Sequence, residues 1–444
     1  MKKGNKSKKF FSLAVITTLF VGSSASVVTA AEPKVGSTCT KVGAFYDTPN
    51  KRYVCNTEGK KKVWRVWHSS GKSAPASKPS TTPKKTNFKA PIPISLPAKQ
   101  DGAITFVNAL EKYADIPQVA WQNVQDTIAK NPDVNIPISF YVGPNTTLNT
   151  VGGESRIKEI VQRQAKLWSG FAKTTLYAIY AYNAQDEKIT EQKFLSDFKS
   201  RGYNNSNPEF SAGPIRALAG NCQNTISPGK FSGEITNCRG ANSGSYTGSS
   251  DSFLQLGQSE ESGFFFTDGG IIGHEFLHAV QAAQWIGTPN CGSDCGRSNK
   301  SNQEFSPCWL FEGGPNSVGP MVSSRTIGDY LTYRKTLPYS QGPTTITDYT
   351  QPSLRNYLFN QSAPTCYQNG ELYSQGYAVG AIATETLVAI AGPQAMMALF
   401  ALGAEGQDFP TAFKNVYGIS WSDASTILSK VLAAEYATFG SPPN

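Results

Sequence analysis

Apolar and polar positions change period several times between residues 136 and 199. Residues 136–142 (IPISFYV) and 174–182 are short apolar runs, which predict β-strands. Residues 154–171 and 189–199 instead carry apolar side chains at the spacing of an amphipathic helix. The order strand, helix, strand, helix predicts a sheet accompanied by helices. The Asn-, Gly- and Ser-rich residues 202–250 predict long loops.

A second apolar stretch precedes a helix in the middle of the chain. Residues 263–267 (GFFFT) predict a strand that leads into this helix. Asp268 is a suitable residue for the helix N-cap, and Gly287 with Pro289 marks the helix end.

The last hundred residues have helical patterns, and residues 379–403 among them are apolar enough to be mistaken for a membrane span. Glu385 and the Gly392-Pro393 pair interrupt this run. The pattern therefore predicts two buried helices rather than one spanning helix.

The N-terminal part has a different organisation. Within residues 31–68, the runs 51–55 and 62–67 predict two strands around a turn at 56–59, which makes a small β module. Residues 69–100 contain six prolines among Ser, Lys and Thr, and this composition predicts a semi-extended linker. Residues 101–444 then form one large domain or two subdomains that share a cleft.

Residues 1–30 have the pattern of an export signal. Five lysines precede a mainly apolar run at 10–21, and Val28-Thr29-Ala30 is a suitable cleavage site. The apolar run is too short for a spanning helix. We therefore expect the mature protein to be secreted or extracellular, with association to the cell envelope as an option.

The eight cysteines agree with export, because disulfides persist in an oxidising compartment. Cys39 and Cys55 are alone in their segment, so we expect them to pair. Cys222–Cys238 is the first pairing to consider in the large domain, and the remaining four cysteines stay open. An alternative is that Cys308, with the cysteines at 291 and 295, holds a second, structural zinc.

The positive charge is concentrated near the N-terminus. Residues 31–100 carry fourteen Lys or Arg and three Asp or Glu, a balance of +11, whereas residues 101–444 carry twenty-two against twenty-nine, a balance of −7. A basic exported module favours acidic cell-envelope polymers or anionic lipids as partners and argues against nucleic acid. A merely soluble basic tail is the alternative.

Residues 274–278 read His-Glu-Phe-Leu-His, and the chain has only three histidines. On a helix, residues four apart lie about 40° apart around the axis, so both imidazoles can face one point. This spacing is typical of a zinc site in which the glutamate reaches the bound water. His274 and His278 are therefore predicted zinc ligands, and Glu275 a catalytic residue. A surface histidine pair on an amphipathic helix is the alternative.

A catalytic zinc usually has three protein ligands, and the candidate for the third is Glu312 in residues 309–314 (WLFEGG). At this point the sequence resembles the gluzincin metallopeptidases, which include thermolysin-like enzymes and zinc aminopeptidases. Their third ligand is the glutamate of a W-L-x-E-G phrase, which Trp309, Leu310, Glu312 and Gly313 match. The resemblance implies that Glu312 is a zinc ligand; an exposed carboxylate at a helix start is the alternative.

Two features depart from the family pattern. The interval from His278 to Glu312 is longer than in the best-known members, and a disulfide-closed insertion would explain the excess. Asn316 occupies the position where several members have an aspartate next to a ligand imidazole. An asparagine can accept the imidazole hydrogen bond but lacks the charge that makes the ligand more basic.

Residues 372–376 (LYSQG) resemble the Y-x-x-G phrase of zinc aminopeptidases, whose tyrosine hydroxyl donates to the oxyanion. The resemblance implies that Tyr373 is catalytic, with Tyr377 as the less favoured neighbour and a packed aromatic side chain as the alternative. Zinc aminopeptidases also carry a G-x-M-E-N strand before the zinc helix, which this chain lacks. An endopeptidase is therefore favoured over an aminopeptidase.

Together these features predict an α+β protein with a gluzincin-like catalytic domain, preceded by a module that resembles short cysteine-paired modules of exported actinobacterial proteins. The expected function is a secreted Zn²⁺-dependent peptidase that cleaves peptide or protein substrates through a zinc-bound water, with Glu275 as general base. The alternative from another class is a non-catalytic cell-surface binding protein that retains the zinc-peptidase scaffold. A serine hydrolase is poorly supported, because no G-x-S-x-G occurs.

Overall fold

The protein divides into two compact units, Met1–Lys85 and Thr86–Asn444. The computed structural model describes the following residues: 34, 36–40, 45–47, 52–58, 61–66, 88–201, 218, 221–224, 235–245, 250–259, 263–289, 305–337, 348–360 and 370–439. The predicted export signal at 1–30 lies outside the described residues, as do the cysteines at 291, 295 and 366.

The N-terminal unit contains an antiparallel sheet of β1 (Phe45–Asp47), β2 (Arg52–Glu58) and β3 (Lys61–Val66). The predicted disulfide between Cys39 and Cys55 is present. β2 continues to Glu58, which lies opposite Lys61, so the predicted turn at 56–59 is wrong. Only residues 59 and 60 separate the strands, which is the short connection that antiparallel pairs favour.

The large unit contains a four-stranded sheet in the order β4-β5-β9-β8. Its strands are β4 (Ile138–Val142), β5 (Leu176–Tyr182), β8 (Ala241–Ser245) and β9 (Asp251–Gly257). β4, β5 and β9 are parallel, whereas β8 runs antiparallel to β9 at the edge. β5 and β9 are buried on both faces, which explains why β5 is a continuous apolar run in the sequence.

The prediction of long loops at 202–250 is wrong at two places: β8 lies within this segment, and so does a two-stranded ribbon. The ribbon consists of β6 (Cys222–Asn224) and β7 (Ile235–Cys238), and the predicted Cys222–Cys238 disulfide joins the two strands. Cys308 is also disulfide-bonded. Its sulfur is therefore not a free thiolate, which contradicts the alternative of a second zinc site that includes Cys308.

Helices contain more than half of the described residues of the large unit. In chain order they are α1 (Ile116–Lys130), α2 (Gly153–Leu167), α3 (Glu187–Ser200), α4 (Phe264–Thr267), α5 (Gly270–Ala283), α6 (Cys308–Phe311), α7 (Gly313–Ser323), α8 (Ile327–Arg334), α9 (Gln351–Asn360), α10 (Gly370–Ala391), α11 (Pro393–Ala404), α12 (Phe409–Tyr417) and α13 (Trp421–Phe439). The fold is thus a mixed α and β fold, with the sheet in its first half and helices in its second.

The predicted strand at 263–267 is wrong, because these residues form the short helix α4. Phe265 packs its ring against other aromatic rings instead of a neighbouring strand. The N-cap of α5 is Gly269 at φ 85°, not Asp268. The chain reverses there through a left-handed conformation that glycine adopts without strain, and the Asp268 carboxylate accepts a hydrogen bond from Ser323 Oγ at 3.3 Å.

The last part of the predicted linker belongs to the large unit. Ala90 and Ala98 are buried there. The Ala90 amide donates to Glu405 Oε1 at 2.9 Å, and the Ala98 amide donates to the Val416 carbonyl at 2.7 Å. The large unit therefore begins before residue 101, because this proline-containing segment satisfies its backbone groups against helices at the other end of the chain.

The apolar run at 379–403 forms two helices, as predicted. Gly392, at φ 78°, separates α10 from α11, and Pro393 begins the second helix. Among the described helices, none alone is long and apolar enough to cross a membrane; α10 from Gln375 and α11 are so only as a pair, which is bent by 106°. Both helices are largely buried.

Candidate metal centre

Helix α5 brings two imidazoles together inside the large unit. His274 and His278 lie one turn apart, and their side chains are almost fully buried. Their Nε2 atoms are 3.1 Å apart. The predicted convergence of the two imidazoles on one point is therefore present in the structure.

Glu312 supplies a carboxylate to the same point. It lies between α6 and α7, and only 1% of it is exposed. Its Oε2 atom is 3.2 Å from His278 Nε2 and 3.6 Å from His274 Nε2. Among the described residues, these three side chains are the one group of His, Cys, Asp and Glu that could hold a metal ion.

The spacing of the three ligand atoms fits a small tetrahedral ion. Zinc–ligand bonds of about 2.0–2.1 Å place neighbouring ligand atoms about 3.3 Å apart in a tetrahedron. The observed separations of 3.1, 3.2 and 3.6 Å lie close to that value. Two buried imidazoles and one carboxylate also form a donor set that zinc commonly takes.

Glycines allow the helices to approach closely enough for this arrangement. A Cβ atom on Gly273 would lie 2.5 Å from the Gly319 carbonyl oxygen, so α5 and α7 contact each other through backbone atoms. A Cβ atom on Gly313 would collide with the backbone of Gly380 in α10. These contacts place Glu312, at the start of α7, beside the histidines of α5.

Each histidine has an amide oxygen at its other ring nitrogen. Asn316 Oδ1 lies 3.0 Å from His274 Nδ1, which agrees with the acceptor role expected for Asn316. Gln281 Oε1 lies 2.9 Å from His278 Nδ1. Sequence reasoning missed Gln281, although its position three residues after His278 on the same helix was a usable signal.

The buried ligands strongly affect each other's protonation. Burial alone would lower the pKa of His278, but the Glu312 charge and hydrogen bond outweigh it and raise the pKa to about 9. Burial alone would raise the pKa of Glu312, but the charge of His278 and the hydrogen bonds from both histidines hold that pKa well below its usual range. Without a metal, a proton thus holds the pair together.

Glu275 lies on the same helix and is only 6% exposed. Its backbone carbonyl accepts a hydrogen bond from Ser243 Oγ in β8 at 2.8 Å. Within the part of the chain that the structure describes, its carboxylate makes neither a hydrogen bond nor an ion pair. Its charge, together with the larger effect of burial, raises the pKa of Tyr177 well above the usual value.

Two tyrosines were considered as oxyanion donors. Tyr373 lies in the first turns of α10, but its side chain is outside the described part of the structure. Tyr377, which the sequence made the less favoured choice, stacks its ring on the His274 imidazole, with centroids 5.9 Å apart and planes 5° apart. The structure thus places Tyr377 at the metal centre and leaves the role of Tyr373 a prediction.

Two phenylalanine rings pack against the ligand histidines. Phe265 lies edge-on to His274 with ring centroids 6.0 Å apart, and the Phe311 ring lies 4.8 Å from that of His278. Apolar rings beside the ligands lower the local dielectric constant, which strengthens the charge interactions at the centre.

Comparison with known proteins places the chain in no group: no protein-family profile, curated protein or solved structure matches it.

Proposed function

We propose that this protein is a secreted zinc-dependent peptidase of gluzincin type. The observation that carries the proposal is the buried triangle of His274, His278 and Glu312. On the same helix lies Glu275, whose carboxylate has no hydrogen-bond or ion-pair partner among the residues that the structure describes. The disulfides indicate an oxidising compartment, which supports export.

The three ligands would hold zinc through two Nε2 atoms and one carboxylate oxygen. When bound, zinc lowers the pKa of a water molecule and polarises the scissile carbonyl. Glu275 accepts the proton of the attacking water and delivers it to the leaving nitrogen. Tyr373 or Tyr377 donates a hydrogen bond to the carbonyl oxygen as negative charge develops there.

An extended polypeptide is the substrate that the surroundings favour. β8 is the outer strand of the four-stranded sheet, and among the described strands nothing pairs with its other edge. Ser243 of β8 contacts the backbone of Glu275, so this edge runs beside the catalytic helix. A peptide strand added to β8 would align its bonds with the site along its length, which favours an endopeptidase.

The substitution Glu275→Gln tests the mechanism. We expect the variant to keep about one zinc per chain and to lose about 10²–10⁴-fold of its activity on a denatured protein substrate, because the amide cannot accept the proton. Metal analysis and cleavage assays provide the two measurements. Glu111→Gln, at an exposed glutamate, is the matched control and should leave both unchanged. Full activity in Glu275→Gln would contradict the proposal.

The alternative function is a non-catalytic surface-binding protein, and exposed lysines of the N-terminal unit favour a binding role for that unit. Lys34, Lys61 and Lys62 are all exposed, and residues 31–68 carry eight Lys or Arg against three Asp or Glu. We propose that this unit attracts acidic cell-envelope polymers.

The double substitution Lys61→Glu and Lys62→Glu in the full chain should weaken attachment to cell envelopes at low salt. Added salt should reduce the difference between variant and parent, because exposed charges are screened. Lys99→Glu and Lys112→Glu, at exposed positions of the large unit, are the control. Equal attachment of parent and variant would contradict the binding role and indicate that the N-terminal unit acts only as a spacer. A zinc-loaded parent that cleaves no peptide yet still attaches would support the binding protein.

A further inference from the structure

The two amides beside the histidines have fixed orientations. Asn316 Nδ2 donates to the Tyr377 carbonyl at 2.9 Å, and Gln281 Nε2 donates to the Phe311 carbonyl at 3.2 Å. If either amide were flipped, its oxygen would face a carbonyl oxygen and the hydrogen bond would become a repulsion. The amide oxygens must therefore face the imidazoles.

This orientation determines the tautomer of both histidines. A backbone-anchored amide oxygen can only accept, so His274 Nδ1 and His278 Nδ1 must each carry a hydrogen. In the neutral imidazoles, both Nε2 lone pairs then point inward, 3.1 Å from each other and 3.2 and 3.6 Å from Glu312 Oε2. Three electron-rich atoms at this spacing repel unless a cation lies among them.

We infer that Gln281 and Asn316 are positioning residues that fix both histidines as Nε2 ligands through neutral amides, and that they keep the bound metal more electrophilic than carboxylates would. A carboxylate at either position would add a negative charge and make the imidazole a stronger donor. The metal would then bind more tightly but would polarise a carbonyl less. The inference rests on the proposed metal and not on peptide hydrolysis.

Zinc affinity of the full-length protein tests the positioning role, measured by competition with a chromophoric chelator at one fixed pH. We expect Gln281→Met and Asn316→Leu each to weaken zinc binding by about 10–100-fold, the usual loss when a group that orients a ligand is removed. Gln281→Glu and Asn316→Asp keep the acceptor at the imidazole and give it a negative charge, but each loses the hydrogen bond to the Phe311 or Tyr377 carbonyl. We therefore expect each of them to bind zinc more tightly than the apolar variant at the same position, Gln281→Met or Asn316→Leu. Far-UV circular dichroism identifies any variant that fails to fold, and the carboxylate variants keep the side-chain shape.

The matched control is Gln284→Met. Gln284, the C-cap residue of the same helix, is equally buried, but its amide donates to the carbonyls of Ala172 and Val280 and not to a histidine. The zinc affinity of the Gln284→Met variant should differ from that of the parent by less than about threefold, because the orientation of the ligand histidines does not change. Equal affinities of folded Gln281→Met and parent would overturn the positioning role, and weaker zinc binding by folded Asn316→Asp than by folded Asn316→Leu would overturn the role of the neutral amide.

Two further readouts separate this inference from the proposed function. Heteronuclear NMR of the zinc-loaded protein should show hydrogen on Nδ1 of both His274 and His278; hydrogen on Nε2 of either would contradict the tautomer assignment. If the carboxylate variants bind zinc more tightly than the apolar variants while the parent cleaves no peptide, the peptidase proposal fails and the inference stands. If the parent is active, the same variants should cleave more slowly at saturating substrate, with little change in KM.

Discussion

The charge of one imidazole governs how the metal centre responds to pH. His278 touches Glu312 in a buried site, and the carboxylate outweighs burial to raise the histidine pKa to about 9. In the metal-free protein this pair contributes its full stabilisation below the ordinary histidine pKa of 6.5, and the contribution is lost as pH rises through about 9. Zinc bound between the same atoms would replace the proton, so the two cations would compete.

Zinc binding should therefore release a proton and depend on pH. Between about pH 7 and the His278 pKa of about 9, we expect the apparent zinc affinity to rise by up to about tenfold per pH unit and then to level off. Isothermal titration calorimetry in two buffers of different ionisation enthalpy measures the released proton directly. An affinity that is flat over this range, with no proton release, would show that His278 is already neutral.

The individual side chains differ in how well their sequence context predicted them. His274 and His278 are four residues apart on one helix, so a local rule predicted their convergence. Asn316 was predicted as an imidazole acceptor from its place after Glu312, and it is one. Gln281 was missed, and Tyr377 was named only as the less favoured neighbour of Tyr373. The contact of Gln281 with His278 depends on the rotamer of the glutamine side chain. Tyr377 reaches His274 because α10 packs against α7, a contact that links distant parts of the chain.

Helix packing through glycine determines whether the ligands meet. His274 follows Gly273, whose α-carbon faces the backbone of Gly319 in α7, and Glu312 lies at the other end of that helix. An added methyl group at this crossing cannot be absorbed by a flexible side chain, because the neighbouring atoms are backbone. The distance between the two helices would have to increase.

The substitution Gly273→Ala should therefore disturb both the fold and the metal centre. We expect a loss of about 1–3 kcal/mol in the free energy of unfolding, as in other overpacked sites, and weaker zinc binding because Glu312 moves away from the histidines. Denaturant unfolding and chelator competition are the measurements. Gly263→Ala is the control, since a Cβ there meets no atom within 4 Å and its φ is −75°. Unchanged stability and unchanged zinc affinity in Gly273→Ala would mean that α5 and α7 can move apart without cost.

The elements that were predicted correctly are those whose apolar pattern is compatible with only one type of secondary structure. The run at 379–403 is longer than a strand, and Pro393 can only begin a new helix, so two helices follow. Residues 263–267 are too short for periodicity to separate a strand from a helical turn. The choice depended on a neighbour outside the segment, the Tyr333 ring of α8, which stacks on Phe265 and is distant in the sequence.

A buried ion network joins three helices of the large unit. Arg334 at the end of α8 donates from Nε to both Glu385 carboxylate oxygens, at 3.0 and 2.9 Å. Its Nη2 atom lies 2.9 Å from Glu385 Oε2 and 3.0 Å from Glu435 Oε2 of α13. Tyr330 donates to Glu385 Oε1 at 2.6 Å. One cation therefore balances two carboxylates away from water.

The substitution Arg334→Met should destabilise the protein by about 3–5 kcal/mol, because it leaves two buried carboxylates without a counter-charge. Since protonation would neutralise them, the loss should shrink as pH falls towards the pKa of Glu435, which burial raises above its usual value. Thermal unfolding at several pH values measures this. Lys335→Met, at the exposed neighbouring residue, should change stability little. A loss that does not depend on pH would argue against uncompensated carboxylates.

The amino-acid sequence by itself determined the local features: the helical spacing of His274 and His278, the position of Glu275 between them, and the strand and helix runs of residues 136–199. It also limited the choice of disulfide partners, of which Cys39–Cys55 and Cys222–Cys238 are present. These features follow from backbone geometry over a few residues or from a short list of partners. The tertiary structure alone decided how close Glu312 lies to the histidines, which amides orient them, and where residues 88–100 pack. Those depend on contacts between helices far apart in the chain, where the exact approach of two backbones decides which atoms meet.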